Sequence, residues 1–257
     1  MRTSLLAATL VAVIGSLTIL PLPAAAMEEQ VIVTQSWPFH GIFGSYDMVR
    51  VRRGFEVYHQ VCQNCHSLKL LAYRNLAEIG LSDDDIAKIA AERKVTDGPN
   101  DAGDMFQRPG KPSDQFIPPF PNDNAARAGN NGALPPDLSL ITKAREGGPD
   151  YVFSILTGFL DPPPAGFKLN EGMYYNKAFP EHQIAMPPPL AENTVTFADG
   201  AKATVDEEAY DVVSFLNWAA EPELGVRHNL GVKVLIFVTI LTIIAYILKR
   251  QIWAEVH

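Results

Sequence analysis

Two cysteines and a histidine in the order Cys62-Gln63-Asn64-Cys65-His66 restrict this chain more than any other feature. No other cysteine occurs in the 257 residues, so both thiols must serve one local purpose rather than a framework of spaced disulfides. A structural zinc site would need four ligands, and there is no second cysteine pair to complete one. A thioredoxin-like dithiol also uses C-x-x-C, but the histidine that follows and the lack of a βαβ pattern argue against it. At this spacing two thiols can add to the two vinyl groups of one haem, and the next residue then faces the iron. The motif therefore reads as the attachment site of one covalently bound haem c, with His66 as the proximal ligand.

Haem is attached to such proteins outside the cytoplasm, and both ends of the chain agree with export. Arg2 precedes an apolar run from Leu5 to Leu20, Pro21 to Pro23 break it, and Ala24-Ala25-Ala26 follows. A basic start, a short apolar core and small residues at the end predict a signal peptide over 1–26, cleaved after Ala26. A second apolar run, 230–248, is closed by Lys249 and Arg250. Its 19 residues reach roughly 28 Å as a helix, close to the hydrocarbon thickness of a bilayer. It has no polar face, and Lys233 near its start has a stem long enough to snorkel. The positive-inside rule puts 249–257 in the cytoplasm. The expected organisation is a haem domain over 27–222, a linker over 223–229, a transmembrane helix over 230–248 and a cytoplasmic tail over 249–257. The expected localisation is a bacterial inner membrane crossed once, with the haem domain on the periplasmic side.

The middle of the chain reads as mainly helical with long loops. Met48, Val51, Phe55, Tyr58 and Cys62 recur at helical spacing, which predicts a helix from Asp47 to Val61 that delivers the motif to the interior. Ser82 caps a second helix, and Thr204 with Glu207 opens a third that runs to about Ala220 and is stopped by Glu221-Pro222. Short helices are expected over 137–145 and 149–160, loops over 94–136 and 161–189, and a weak hairpin around Asp199-Gly200.

A second axial ligand must come from the opposite haem face. Met48 lies on the stripe of Cys62 but about 21 Å along the helix, out of reach. Of the remaining candidates Met105, Met173 and Met186, the last is followed by Pro187-Pro188-Pro189, a stiff segment able to hold a thioether in place. A core gap-filling role for Met186 is the alternative use, and His182 is the alternative ligand. A His–Met pair raises the reduction potential. Arg127 is a candidate partner for a haem propionate, although from spacing alone it reads as a solvated surface arginine.

Beyond single motifs, Arg53-Gly54-Phe55-Glu56-Val57-Tyr58 and Val61 through Ser67 resemble the haem-attachment region of the cytochrome c1 family. Asn130-Asn131-Gly132-Ala133-Leu134-Pro135-Pro136-Asp137-Leu138-Ser139, Tyr151-Val152-Phe153 through Gly158, Met186-Pro187-Pro188 and Phe215 through Pro222 are similar to its later segments. The resemblance spans essentially the whole mature chain. It implies a class I cytochrome c core with long loop insertions plus one C-terminal transmembrane helix. It also implies Met186 as sixth ligand and a propionate contact for Arg127. The partners implied are the cytochrome b and Rieske iron–sulfur subunits of a bc1 complex, with a soluble cytochrome c as acceptor in a respiratory or photosynthetic chain. Some bacterial members carry an extra disulfide ahead of the methionine loop, for which this chain has no cysteines.

Charge narrows the partners further. There are 29 acidic and 21 basic residues, a net charge of −8 that becomes −9 if Arg2 leaves with the signal segment. Nucleic acid is therefore excluded as a partner, and a basic soluble protein fits. The acidic runs at 83–85 and 97–104 are candidates for steering it. Two other functions use the same features. One is a free-standing membrane-anchored cytochrome feeding an oxidase. The other is a haem enzyme or gas sensor with an open sixth position, which requires that Met186 not bind.

Overall fold

The computed structural model describes residues 30–202 and 204–254. The expected signal peptide lies outside these residues. Helices dominate: α1 (Met48–Gln60), α2 (Asp83–Ala91), α3 (Asp123–Gly129), α4 (Ile141–Ala144), α5 (Gly148–Thr157), α6 (Val205–Ala220) and α7 (Leu224–Trp253). Two small antiparallel pairs accompany them, β1 (Lys94–Asp97) with β2 (Phe106–Pro109) and β3 (Tyr174–Tyr175) with β4 (Gln183–Ile184).

Helix α1 starts beside Asp47, where the apolar spacing predicts it. The Asp47 carboxylate accepts from the N–H groups of Val49 and Arg50, satisfying donors that a helix start leaves open. Val51, Phe55 and Tyr58 are buried along one stripe, whereas Met48 at the head of that stripe is exposed. The stripe packs across α6, whose start is capped by Thr204 Oγ1 accepting from Glu207 N–H. Where the helices cross, Gly54 meets the backbone of Asp211: a Cβ on Gly54 would lie 1.9 Å from the Asp211 carbonyl oxygen. Phe215 then sits edge-on to Phe55, ring centroids 5.6 Å apart, with Tyr58 beside it at 5.7 Å. Beside this apolar contact, the fully buried Asp211 carboxylate lies 2.9 Å from Arg50 and 2.8 Å from Arg53 Nε, the latter without in-line hydrogen-bond geometry.

Residues 30–46 are irregular, as expected, but they act as a strap over α5 and α6. Val33 N–H donates to Ser154 Oγ, Gln35 N–H and Trp37 Nε1–H donate to Asp150, and Tyr210 OH donates to the Ser36 carbonyl. Trp37 stacks on Tyr210 with centroids 4.5 Å apart. Tyr46 OH closes the strap on the carbonyls of Asn217 and Glu221.

Four expectations change. The stretch 94–136, read as loop, contains the β1–β2 hairpin and α3. The segment 161–189 holds the short β3–β4 pair. Around Asp199-Gly200 there is a turn, with Gly200 N–H donating to the Phe197 carbonyl, and 194–202 contains no strand. The segment 224–229, expected as linker, is the first part of α7. The physical reason for the last is the junction: Leu224 is buried in the domain core, and Glu221 pairs with both Lys143 and Arg227, so the chain re-enters a helix three residues after α6 ends. Beyond Leu224, α7 is exposed nearly throughout, and it is long and apolar enough to cross a membrane.

Candidate haem site

Helix α1 runs directly into the site. Its backbone continues through a 3-10 turn over Cys62–Asn64, with His66 N–H donating to the Cys62 carbonyl at 2.9 Å. This turn puts both cysteines and the histidine on one short ledge. Cys62 is half-buried and packs on the main core, and Cys65 is exposed. Burial, and then the neighbouring Cys65, push the Cys62 thiol up to about 12. A thiol at that value is almost wholly protonated at neutral pH and is a poor nucleophile.

His66 is oriented from the far side of the ledge. Its Nδ1 lies 2.8 Å from the carbonyl oxygen of Pro136. A carbonyl only accepts, so Nδ1 carries the proton and Nε2 keeps its lone pair. Burial lowers the imidazole pKa, against the pull of the Pro136 carbonyl and Asp137, so the ring is neutral at neutral pH. The loop bearing Pro136 is itself stitched to the ledge. Leu138 N–H donates to the Ser67 carbonyl, Lys69 N–H to Asp137 Oδ2, and Leu70 N–H to Ser139 Oγ. Burial alone would raise the Asp137 carboxyl, but hydrogen bonds from Ser139, Lys69 N–H and Ser67 hold it below the usual carboxylate value.

Met186 packs in the second, smaller apolar cluster. It is half-buried against Ile155, Ala178 and Ile184, with Phe159 and Phe179 beside it. Tyr151 on α5 packs on both this cluster and the main core. The segment after the three prolines is pinned by Leu190, Val195 and Phe197, all buried, and by Val195 N–H donating to the buried Glu208 on α6. His182 is buried and stacked on Tyr175, its Nδ1 3.2 Å from the Asn176 carbonyl. Arg127 is exposed on α3 and donates to the Gly132 carbonyl at 3.1 Å, in the loop that leads to Pro136. Cys62, Cys65 and His66 are thus brought together, and Arg127 is joined to them through the 130–136 loop. Met186 stands on its own apolar cluster, linked through Tyr151.

The acidic runs are only partly available. Asp97 is committed to Arg108, and Asp85 accepts from Ser82 Oγ. Asp83, Asp84, Asp101 and Asp104 are exposed. The sequence reading missed the Pro136 carbonyl and the Asp137 acceptors. A backbone carbonyl carries no side-chain signature, and the Pro-Pro-Asp run was the one available hint of a fixed loop.

The donor set suits a covalently held haem. Two thiols stand one turn apart beside a neutral imidazole with Nε2 available. A mostly helical domain presenting this set has the form of a c-type cytochrome. Comparison with known proteins narrows the class. The model of the cytochrome c1 family matches residues 37–256. Cytochrome c1 of Rhodospirillum rubrum is 49% identical over 237 residues, 86% of this chain and 87% of that one. Cytochrome c1 1, heme protein, mitochondrial, of Arabidopsis thaliana is 49% identical over 218 residues, 85% of this chain and 71% of that one. A protein named cytochrome b/c1 from Bradyrhizobium diazoefficiens is 48% identical over 242 residues, 86% of this chain but 35% of its own length. The chain belongs to the cytochrome c1 family, and with it carries a covalently bound haem c.

Proposed function

We propose that this chain is the haem-bearing subunit of a quinol-oxidising bc1 complex. In this reading it takes electrons from a Rieske iron–sulfur protein and gives them to a soluble cytochrome c. When bound, the haem supplies a one-electron ferric/ferrous couple, and the protein makes and breaks no substrate bond. Cys62 and Cys65 hold the group as thioethers. His66 offers Nε2 to the iron while Pro136 fixes its tautomer and ring plane. Met186 would supply its thioether as the second iron ligand, and a His–Met pair gives the high potential such an acceptor needs. Arg127 would pair with a haem propionate. Cytochrome b anchors the subunit within the complex. The exposed carboxylates Asp83, Asp84, Asp101 and Asp104 raise the encounter rate with a basic cytochrome c.

In this proposal residues 1–26 are removed on export, 27–222 form the periplasmic domain, 230–248 cross the inner membrane, and 249–257 remain in the cytoplasm. The observation that carries the ligand assignment is the 2.8 Å contact between His66 Nδ1 and the Pro136 carbonyl, because it leaves one nitrogen, Nε2, to bind a metal. The test is redox titration of the purified complex with Met186→Leu. The expected result is a fall in potential that uses a sizeable part of the roughly 0.8 V range axial ligands command. Reduction of the haem by quinol should then stall while cytochrome b and the Rieske protein still co-purify. An unchanged potential sinks the Met186 assignment, and failure to co-purify with cytochrome b sinks the complex.

A further inference from the structure

The turn His40-Gly41-Ile42-Phe43-Gly44 is set by its backbone. Gly44 N–H donates to the Gly41 carbonyl and Ser45 N–H to the Pro38 carbonyl, with Gly41 at φ +80°. A Cβ on Gly44 would lie 2.3 Å from the Phe39 carbonyl oxygen, so the turn closes tightly on itself. Phe39 at its base is buried in the core. Its tip is the opposite: Phe43 is 82% exposed and Ile42 75% exposed. Among the described residues no other large apolar side chain is as exposed, those on the bare face of α7 included.

The location of this turn says what covers it. His228 Nδ1, in the second turn of α7, lies 3.1 Å from the Gly44 carbonyl oxygen. Leu230, where the apolar run of α7 begins, follows two residues later, a rise of about 3 Å. Phe43 and Ile42 are one and two residues from Gly44, each step about 3.8 Å between Cα atoms. The headgroup layer of a bilayer is roughly 5–7 Å deep on each side. These steps put Phe43 roughly 10 Å from the start of the apolar run, close enough for its side chain to reach that layer. An aromatic and a branched aliphatic group at that depth gain by leaving water for the acyl boundary.

We propose that Ile42 and Phe43 form a second membrane contact, inserting into the lipid headgroup boundary beside α7. The haem domain is then held to the bilayer at two points, the helix and the turn, joined by the His228–Gly44 contact. The proposal rests on reading α7 as membrane-spanning.

The test uses the full-length, haem-loaded protein in phosphatidylcholine nanodiscs with a nitroxide placed at Phe43→Cys or, separately, at Ile240→Cys in the middle of the apolar run. Cys62 and Cys65 carry haem and take no label, for which the unsubstituted protein is the blank. Relaxation of the nitroxide by oxygen is compared with relaxation by a water-soluble nickel chelate. Insertion predicts a several-fold excess of oxygen over nickel at both positions. Oxygen excess at 240 with free nickel access at 43 overturns the proposal and leaves the membrane helix standing. Exclusion of both agents at 43 also overturns it, because the turn is then covered by protein. Free nickel access at 240 removes the membrane helix itself, and the proposal with it.

Discussion

The proton on His66 Nδ1 is donated to the carbonyl of Pro136, 70 residues away in sequence and 2.8 Å away in space. One wall of the site is therefore a joint between two distant segments, and Asp137 is its fastener. Asp137 Oδ2 accepts from Lys69 N–H at 3.0 Å and Oδ1 from Ser139 N–H at 2.9 Å. Asp137→Ala leaves both donors without their acceptor, at a cost of about 2 kcal/mol for a charged hydrogen-bonded group. Denaturant titration of the purified protein measures this. The same variant lets the His66 ring swing, so its optical spectrum should become heterogeneous. A single unchanged spectrum with wild-type stability would show that Asp137 fastens nothing.

The crossing of α1 and α6 has no room for a methyl group at position 54. With a Cβ 1.9 Å from the Asp211 carbonyl and 2.7 Å from Phe215 Cβ, Gly54→Ala forces the two helices apart. Overpacking of this kind costs at least about 2 kcal/mol, more here because backbone atoms must move. Gly225→Ala is the comparison: it is helical and nothing lies within 4 Å of its added Cβ. That change is expected to be neutral or slightly stabilising. Haem content per chain after expression separates the two.

Much of this architecture was legible in the sequence, for identifiable reasons. Helix α1 shows an acidic cap followed by an apolar stripe at helical spacing, both local signals, and its end carries the motif. Helix α6 shows a threonine cap and a proline stop. The strap over 30–46 was not legible, because it is held by backbone N–H groups and by Asp150 and Tyr210, partners more than a hundred residues distant. The β1–β2 hairpin was missed since Lys94-Val95-Thr96-Asp97 is exposed or half-buried and lacks an apolar face. The start of α7 was placed too late because hydropathy begins at Leu230, whereas the helix is nucleated by the buried Leu224 and the Glu221 cluster.

That cluster gives a third prediction. Glu221 receives Lys143 at 2.6 Å and Arg227 on its other oxygen, tying α4 to the first turn of α7. Both partners reach solvent, so each pair contributes less than about 1 kcal/mol. Glu221→Gln should hardly move the thermal midpoint. It should instead loosen the junction, seen as faster proteolytic cleavage between 221 and 229 in detergent. Unaltered cleavage with a large drop in midpoint would place the role of Glu221 in the core instead.

Asp211 supplies the pH dependence. Burial pushes its carboxyl up to about 6, with Arg53 and Arg50 pulling the other way. The folded value lies above the 3.8 of an ordinary aspartate, so between about pH 4 and 6 the native state holds a proton that the unfolded chain has lost. Stability contributed by this group is therefore greatest at the acid end, falls as pH rises through that window, and is level above it. At pH 7 the carboxylate is ionised and faces two arginines. Asp211→Ala strands both beside the helix crossing and costs about 3 kcal/mol, the low end for a broken buried pair because the arginines still reach water. Asp211→Asn keeps an acceptor for Arg50, costs less, and flattens the slope between pH 4 and 6. Stability of the two variants measured across that range decides the matter: a slope that persists in Asp211→Asn assigns the titration to another carboxylate.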